Sequence, residues 1–105
     1  MAIQKTYIYK DVEITDAYLR IGAMNVVKTV ETYIDSESED LEKKTKNVFN
    51  IHADLEIKKT KTSETIAVLR RVVSFIADMD STDNFVMQAY KKIMLKEEFK
   101  TGKIV

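Results

Sequence analysis

Hydrophobic residues recur at helical spacing near the C-terminal end of the chain. Between residues 78 and 99 they are separated by steps of three and four, at Val86, Ala89, Tyr90, Ile93 and Met94. This spacing places them along one stripe of an α-helix, while several lysines fall towards the other face and the C-terminal end, where the helix dipole favours positive charge. The pattern predicts an amphipathic helix whose apolar stripe needs a sheet to cover it.

Short polar side chains precede this helix. Asp80, Ser81 and Thr82 each carry an oxygen that can accept a hydrogen bond from the free amides of a first helical turn, so we expect the N-cap among them. The same segment resembles the opening of a calcium loop. Its sixth position is Asp83 where glycine is needed, and its twelfth is Ala89 where glutamate is needed. Capping is the simpler interpretation, and no metal site is expected.

Strand patterns occupy the first half of the chain. Residues 3–9 are rich in β-branched and aromatic side chains, and the polar pair Lys10-Asp11 after them fits a two-residue hairpin loop. Residues 17–27 form two interleaved sets, with a kink or close backbone approach expected near Gly22, and residues 30–34 continue or return this strand. Residues 47–60 alternate most regularly, with the apolar set Phe49, Ile51, Ala53, Leu55 and Ile57.

Residues 65–77 allow two interpretations. They are apolar on both faces, interrupted by Arg70 and Arg71, and their length suits a helix. Their β-branched content and their position just before the helix cap favour a central strand. The sequence therefore predicts one α+β domain over residues 1–105. It should be an antiparallel β meander of four or five strands, sandwich- or barrel-like, with one C-terminal helix on a face or end of the sheet.

A polar segment divides the strand region. Residues 36–46, SESEDLEKKTK, predict an exposed loop with an acidic half and a basic half. The simpler interpretation is a solvated hairpin tip, and the alternative is a docking loop whose halves pair across copies. The residues of this possible interaction surface are Glu37, Glu39, Asp40, Lys43 and Lys44.

Two tyrosines add a second candidate surface. Tyr7 and Tyr9 alternate on one face of the first strand. If exposed, they would suit a sugar- or protein-binding patch; if covered, they would serve cross-strand packing at the edge of the core. The sequence favours packing and leaves the patch open.

Composition narrows the classes of function. The 17 basic residues balance the 17 acidic residues, which counts against nucleic-acid binding, because phosphate neutralisation usually requires a basic excess. The absence of cysteine excludes disulfides and thiolate metal sites. No apolar run approaches the ~20 residues of a membrane span, and the start does not resemble a signal peptide, so we expect synthesis in the cytosol and no membrane partner.

Common catalytic patterns are missing from the sequence. His52, the only histidine, falls on the polar face of a predicted strand without a nucleophile in a known local pattern. Two glycines are too few for a phosphate-binding loop, and no pair of acids lies at a definable catalytic distance. We therefore expect neither an enzyme nor a cofactor.

Motifs at the two ends of the chain carry a family resemblance. The N-terminal motifs are Met1-Ala2-Ile3 and Asp16-Ala17-Tyr18-Leu19-Arg20-Ile21-Gly22. The C-terminal motifs are Asp83-Asn84-Phe85, Gln88-Ala89-Tyr90 and Glu98-Phe99. With them the chain resembles small structural proteins from tailed phages of low-GC Gram-positive bacteria, over about a third of its length. It departs at Lys10-Asp11, where relatives tend to have Asn-Gly, and in the middle, which does not align.

The resemblance implies a virion component of the tail, baseplate or head–tail connector. Such a protein would work by assembling with itself and with other phage structural proteins. It would be made in the host cytoplasm and then enter the virion. The resemblance supplies no catalytic residues. The alternative is a small binding module or inhibitor that recognises a host protein or glycan.

Overall fold

The computed structural model of the protein describes residues 1–34 and 43–105. Within these residues the elements along the chain are β1 (Ile3–Tyr9), β2 (Val12–Ile34), β3 (Lys43–Lys58), β4 (Thr65–Ile76), α1 (Phe85–Met94) and β5 (Lys103–Ile104). The strands form one antiparallel sheet in the order β4-β3-β2-β1-β5. The predicted α+β meander with one C-terminal helix is confirmed, and a short fifth strand returns to pair with β1.

The hairpin between β1 and β2 has the predicted two-residue loop. Tyr9 pairs with Val12, and the loop residues Lys10 and Asp11 have φ angles of 47° and 66°. Two consecutive residues with positive φ are typical of a type I′ turn, whose twist matches that of the flanking strands. The local polar pair thus suffices to reverse the chain without glycine.

The predicted kink in the second strand is a β-bulge. The register between β2 and β3 shifts between Ile21 and Ala23, so Gly22 is the extra residue. A Cβ atom on Gly22 would meet the flexible Glu56 side chain, which would have to move aside. Beyond the bulge the strand runs without interruption to Ile34, so residues 30–34 continue the strand and do not return it.

Residues 65–76 form a strand, as their β-branched content indicates, but β4 lies at the edge of the sheet. The prediction of a central strand was wrong, because the chain leaves β4 for the helix and no later strand pairs with its outer edge in the described structure. The two arginines mark an irregularity in this edge. Arg71 has a φ of 47°, and its backbone N–H donates to Asp54 Oδ1 at 2.8 Å.

The helix begins later than the sequence predicted. Asn84 is the N-cap, and its Oδ1 accepts a hydrogen bond from the Met87 N–H at 2.8 Å. The prediction that Asp80, Ser81 or Thr82 caps the helix was therefore wrong. The reason is Gln88, which is buried: its Oε1 accepts from the Asp78 N–H, and its Nε2 donates to the carbonyls of Asp78 and Asp83. These bonds hold residues 78–83 in turns outside the helix.

The core lies where the helix covers one face of the sheet. The apolar stripe of α1 is buried at Ala89, Tyr90 and Ile93. It packs in one cluster with side chains from β1 to β4, including Ile3, Ala17, Leu19, Ala53, Leu55, Ile57 and Val73. The opposite sheet face and the distal parts of β2 and β3 lie outside this cluster.

Candidate interaction surface

The distal parts of β2 and β3 form a two-stranded arm, which we define as residues 28–34 and 43–49. The ladder between the two strands continues to the pair Ile34 and Lys43. Its neighbours stop earlier, because β1 pairs with β2 no further than Leu19, and the last β4 pair joins Ile76 to Asn50. The molecule is therefore elongated, with extents of 60 × 23 × 21 Å and a radius of gyration of 17.8 Å, compared with about 13 Å for a compact domain of this length.

The arm and the two residues that precede it in β2, Val26 and Val27, expose apolar side chains on both faces of the sheet. Val26 and Val30 lie on the helix-bearing face, where Val30 is 61% exposed. Val27 and Tyr33 lie on the other face and are 41% and 43% exposed. A two-stranded ribbon is at best marginally stable alone in water, and it is normally stabilised by a third strand or a packed helix. Among the described residues, none of these four side chains is buried.

One ion pair spans the ladder of the arm. Lys46 lies opposite Glu31, with 3.7 Å between Nζ and Oε2, and its Nζ also lies 5.9 Å from the centroid of the Tyr33 ring. Both ionic side chains are more than half exposed, so this pair contributes at most about 1 kcal/mol. The arm contains four lysines and one glutamate and is therefore positively charged, whereas residues 28–33 of β2 alone are balanced in charge and partly apolar.

The structure revises the predicted polar loop. Lys43 and Lys44 belong to β3 and pair with Ile34 and Tyr33, because the alternating ladder of the long hairpin extends through them. The prediction of a loop was therefore wrong for residues 43–46. Glu37, Glu39 and Asp40 lie outside the described residues. The basic half of the predicted docking loop is part of the arm.

Tyr7 and Tyr9 are partly covered and pack against the core. The Tyr7 ring stacks on Phe99 with centroids 5.8 Å apart. Burial, followed by the negative charge of Glu98 and by Tyr9, raises the pKa of the Tyr7 hydroxyl above its ordinary value. This geometry agrees with the packing interpretation of Tyr7. Tyr9 also lines a cleft.

An apolar cleft lies at the opposite end of the sheet from the arm. Its volume is about 730 Å³, and it lies between the β1–β2 hairpin and the β3–β4 turn. Tyr9, Val12, Ile14 and Ile66 supply its apolar lining, and Lys10 and Lys59 border it. Sequence reasoning missed this site, because two hairpins that are far apart in the chain form it together.

The structure brings Ser74 to His52, a pairing that the sequence did not indicate. Ser74 Oγ lies 2.8 Å from Nδ1 of His52, because β4 pairs with β3 at this point. His52 also lines a polar cleft of about 440 Å³ that contains Asp54. A nucleophile and base usually require a third group that orients the base. Asp54 accepts from the Arg71 N–H and lies 3.9 Å from Arg70, so its carboxylate is held by the arginines.

Comparison of the chain with models of known protein families gives no match, and comparisons with curated proteins and with solved structures likewise give none. In residues 1–34 and 43–105, no helix is long and apolar enough to cross a membrane. The same residues contain no group of three or more His, Asp or Glu side chains placed to hold a metal ion. The arm is therefore the feature from which a function is best argued.

Proposed function

We propose that this protein is a structural component of a tailed-phage virion, in the tail, baseplate or head–tail connector, and that it acts by protein–protein assembly. The arm carries the proposal. It projects from the core, and its exposed valines and tyrosine on both faces are surfaces that another protein chain can cover. Its partners are copies of itself and other phage structural proteins, and the protein passes from the host cytoplasm into the virion.

The family resemblance also supports the proposal, and the residues that carry it lie outside the arm. Its motif residues Leu19, Tyr90 and Phe99 are buried. The Tyr90 hydroxyl also accepts from the Ile21 N–H and donates to the Met1 carbonyl, so it joins three of the resembling segments. The shared motifs are therefore those that build the core, while the arm lies in the part of the chain that does not align.

Assembly rather than catalysis is also favoured by the site chemistry. His52, which contacts Ser74, lines a polar cleft in which the Asp54 carboxylate is engaged by Arg70 and by the Arg71 backbone. One observation supports the alternative function, a binding module for a host protein or glycan. It is the apolar cleft of about 730 Å³ at the end opposite the arm.

Incorporation into particles tests the proposal. The protein is expected at constant stoichiometry in purified particles of the phage that encodes it, measured by quantitative mass spectrometry. The triple variant Val27→Thr, Val30→Thr, Tyr33→Thr removes apolar surface from the arm, and we expect its incorporation to fall at least about tenfold, equivalent to ~1.4 kcal/mol of lost contact.

A matched variant removes similar surface from the other end of the molecule. Ile8→Thr, Val12→Thr, Ile66→Thr alters side chains that are at least 45% exposed, so its fold and incorporation are expected to be unchanged. Absence of the protein from purified particles would contradict the virion proposal. Loss of incorporation by this matched variant alone would instead favour the cleft as the contact.

A further inference from the structure

We infer that residues 26–34 of β2 pair with the same residues of a second copy, in an antiparallel ladder with two-fold symmetry. The inference rests on the proposed function and names the partner of the arm. The interface lies on the free edge of β2 and joins the two sheets through backbone hydrogen bonds.

In the described residues, the edge of β2 that faces away from β3 is unpaired over a long stretch. β1 borders this edge only as far as Leu19, and no described strand borders it from residue 20 onward. The Tyr90 hydroxyl accepts the Ile21 N–H at 2.9 Å, which satisfies one backbone donor close to the end of β1. Further along, alternate N–H and C=O groups point away from β3 and form a template for another strand.

The other long edge of the sheet is protected against such pairing. In β4, Arg71 has a positive φ, and Arg70 presents a charged side chain that is 84% exposed. Bulges and charges of this kind blunt an edge. Residues 26–34, VVKTVETYI, contain one lysine, one glutamate, no proline and no glycine, and none of them has a positive φ. The β2 edge therefore lacks the backbone irregularity of β4, and its two charges are of opposite sign.

The choice of a second copy as partner follows from the side-chain pattern. A two-fold axis normal to the sheet keeps the helix-bearing faces of both copies on one side. Each residue then pairs with a residue whose side chain lies on the same face of the sheet. This condition is met only where the two-fold axis passes beside one residue of β2, so that this residue lies opposite itself in the second copy. Centres at Lys28 or Glu31 place identical charges directly opposite each other, which is destabilising. Among the four central positions of the segment, residues 28–31, this leaves Thr29 and Val30 as centres.

The register centred on Val30 gives the best cross-strand pairs. Val30 then lies opposite Val30 of the second copy, and Val27 lies opposite Tyr33, a β-branched and aromatic pair of the kind that stabilises sheets. Centring on Thr29 would instead place Val27 opposite Glu31. The Val30 register also removes the instability of the isolated arm. Both arms merge into a four-stranded ribbon in the order β3-β2-β2-β3. The helix-covered cores of the two copies then lie at opposite ends of this ribbon.

Disulfide trapping tests the register, because the natural chain has no cysteine. In Val30→Cys the two sulfurs would belong to directly opposed residues with Cα atoms ~4.5–5.5 Å apart, within the range for a disulfide. We expect mild oxidation to give a covalent dimer in high yield. The matched control Thr32→Cys lies on the same face, but its two copies would be offset by four residues, roughly 13 Å, and should not cross-link.

Charge exchange provides a second readout without cysteine. Val30→Lys and Val30→Glu should each dissociate the dimer and raise the dissociation constant at least tenfold, while mixing the two variants should restore a heterodimer. Because Val30 is 61% exposed in the monomer, neither change should affect folding, which circular dichroism can check. Failure of Val30→Cys to cross-link, or more efficient cross-linking by Thr29→Cys, would overturn the inference. Particles that still contained the protein would then leave the proposed function intact.

Discussion

Replacing Phe99 by alanine is expected to lower the free energy of unfolding by about 3–5 kcal/mol, the usual cost of removing a fully buried aromatic ring. Phe99 is 0% exposed although it lies beyond the end of the helix, and its ring stacks on Tyr7 at 5.8 Å. It therefore anchors the C-terminal segment against β1. Urea denaturation followed by circular dichroism measures the change, which is a large share of the stability of a small domain.

A neighbouring leucine provides the control for Phe99→Ala. Leu95 is 77% exposed just after the helix, so Leu95→Ala is expected to change the unfolding free energy by no more than about 0.5 kcal/mol. If Phe99→Ala also changed the unfolding free energy by no more than this amount, the result would contradict the packing of the C-terminal segment on β1.

Replacing Tyr90 by phenylalanine is expected to cost about 1–3 kcal/mol, although only one oxygen is removed. The hydroxyl accepts from the Ile21 N–H at 2.9 Å and donates to the Met1 carbonyl at 3.0 Å, and both backbone groups lose this partner. Tyr33→Phe is the control. Tyr33 is 43% exposed and keeps its ring near Lys46, so a change below about 0.5 kcal/mol is expected.

The effect of Tyr90→Phe should depend on pH. Burial, as the largest cause, raises the pKa of the Tyr90 hydroxyl above its ordinary value of 10.0. Below pH 10 the hydroxyl keeps its proton in both the folded and the unfolded state. The difference in free energy of unfolding between wild type and Tyr90→Phe is therefore at its maximum there. Above pH 10 the unfolded chain ionises first, and wild-type stability falls as pH rises through the folded-state pKa. A difference between the two proteins that grew with alkaline pH would contradict the contact.

The elements that the sequence predicted well depend on local signals. Strict alternation of apolar residues defines β3, the polar pair Lys10-Asp11 forms a two-residue turn, and Gly22 marks the bulge in β2. In each case the sequence carries a signal within a few residues: a turn pair, a glycine or the side-chain period itself. These features were therefore accessible without knowledge of the tertiary structure.

The errors have distant causes. Several oxygen-bearing residues before the helix suit an N-cap, and the choice of Asn84 depends on hydrogen bonds from Gln88, one turn into the helix. The edge position of β4 depends on the order of strands in the whole sheet. Ser74 meets His52 across 22 residues through the register of β3 with β4. A pattern along the chain does not contain these relations.

The candidate surface was predicted only in part. The sequence identified a polar segment at residues 36–46 and placed Lys43 and Lys44 in it, whereas both lysines extend β3. The arm itself is defined by where its neighbours end, since β1 stops beside Leu19 and β4 stops beside Asn50. Exposure of Val30 and Tyr33 follows from those two endpoints, and the hydrophobic pattern of β2 alone does not reveal it.

The most direct test of assembly through the arm is the absolute mass of the wild-type protein in solution, measured by multi-angle light scattering over a range of concentrations. A mass that rises with concentration from the 12.1 kDa of one chain to twice that value is the expected result. Val30→Lys should remain at one chain over the same range. A folded wild-type protein with a mass of 12.1 kDa up to its highest soluble concentration would contradict self-assembly through the arm.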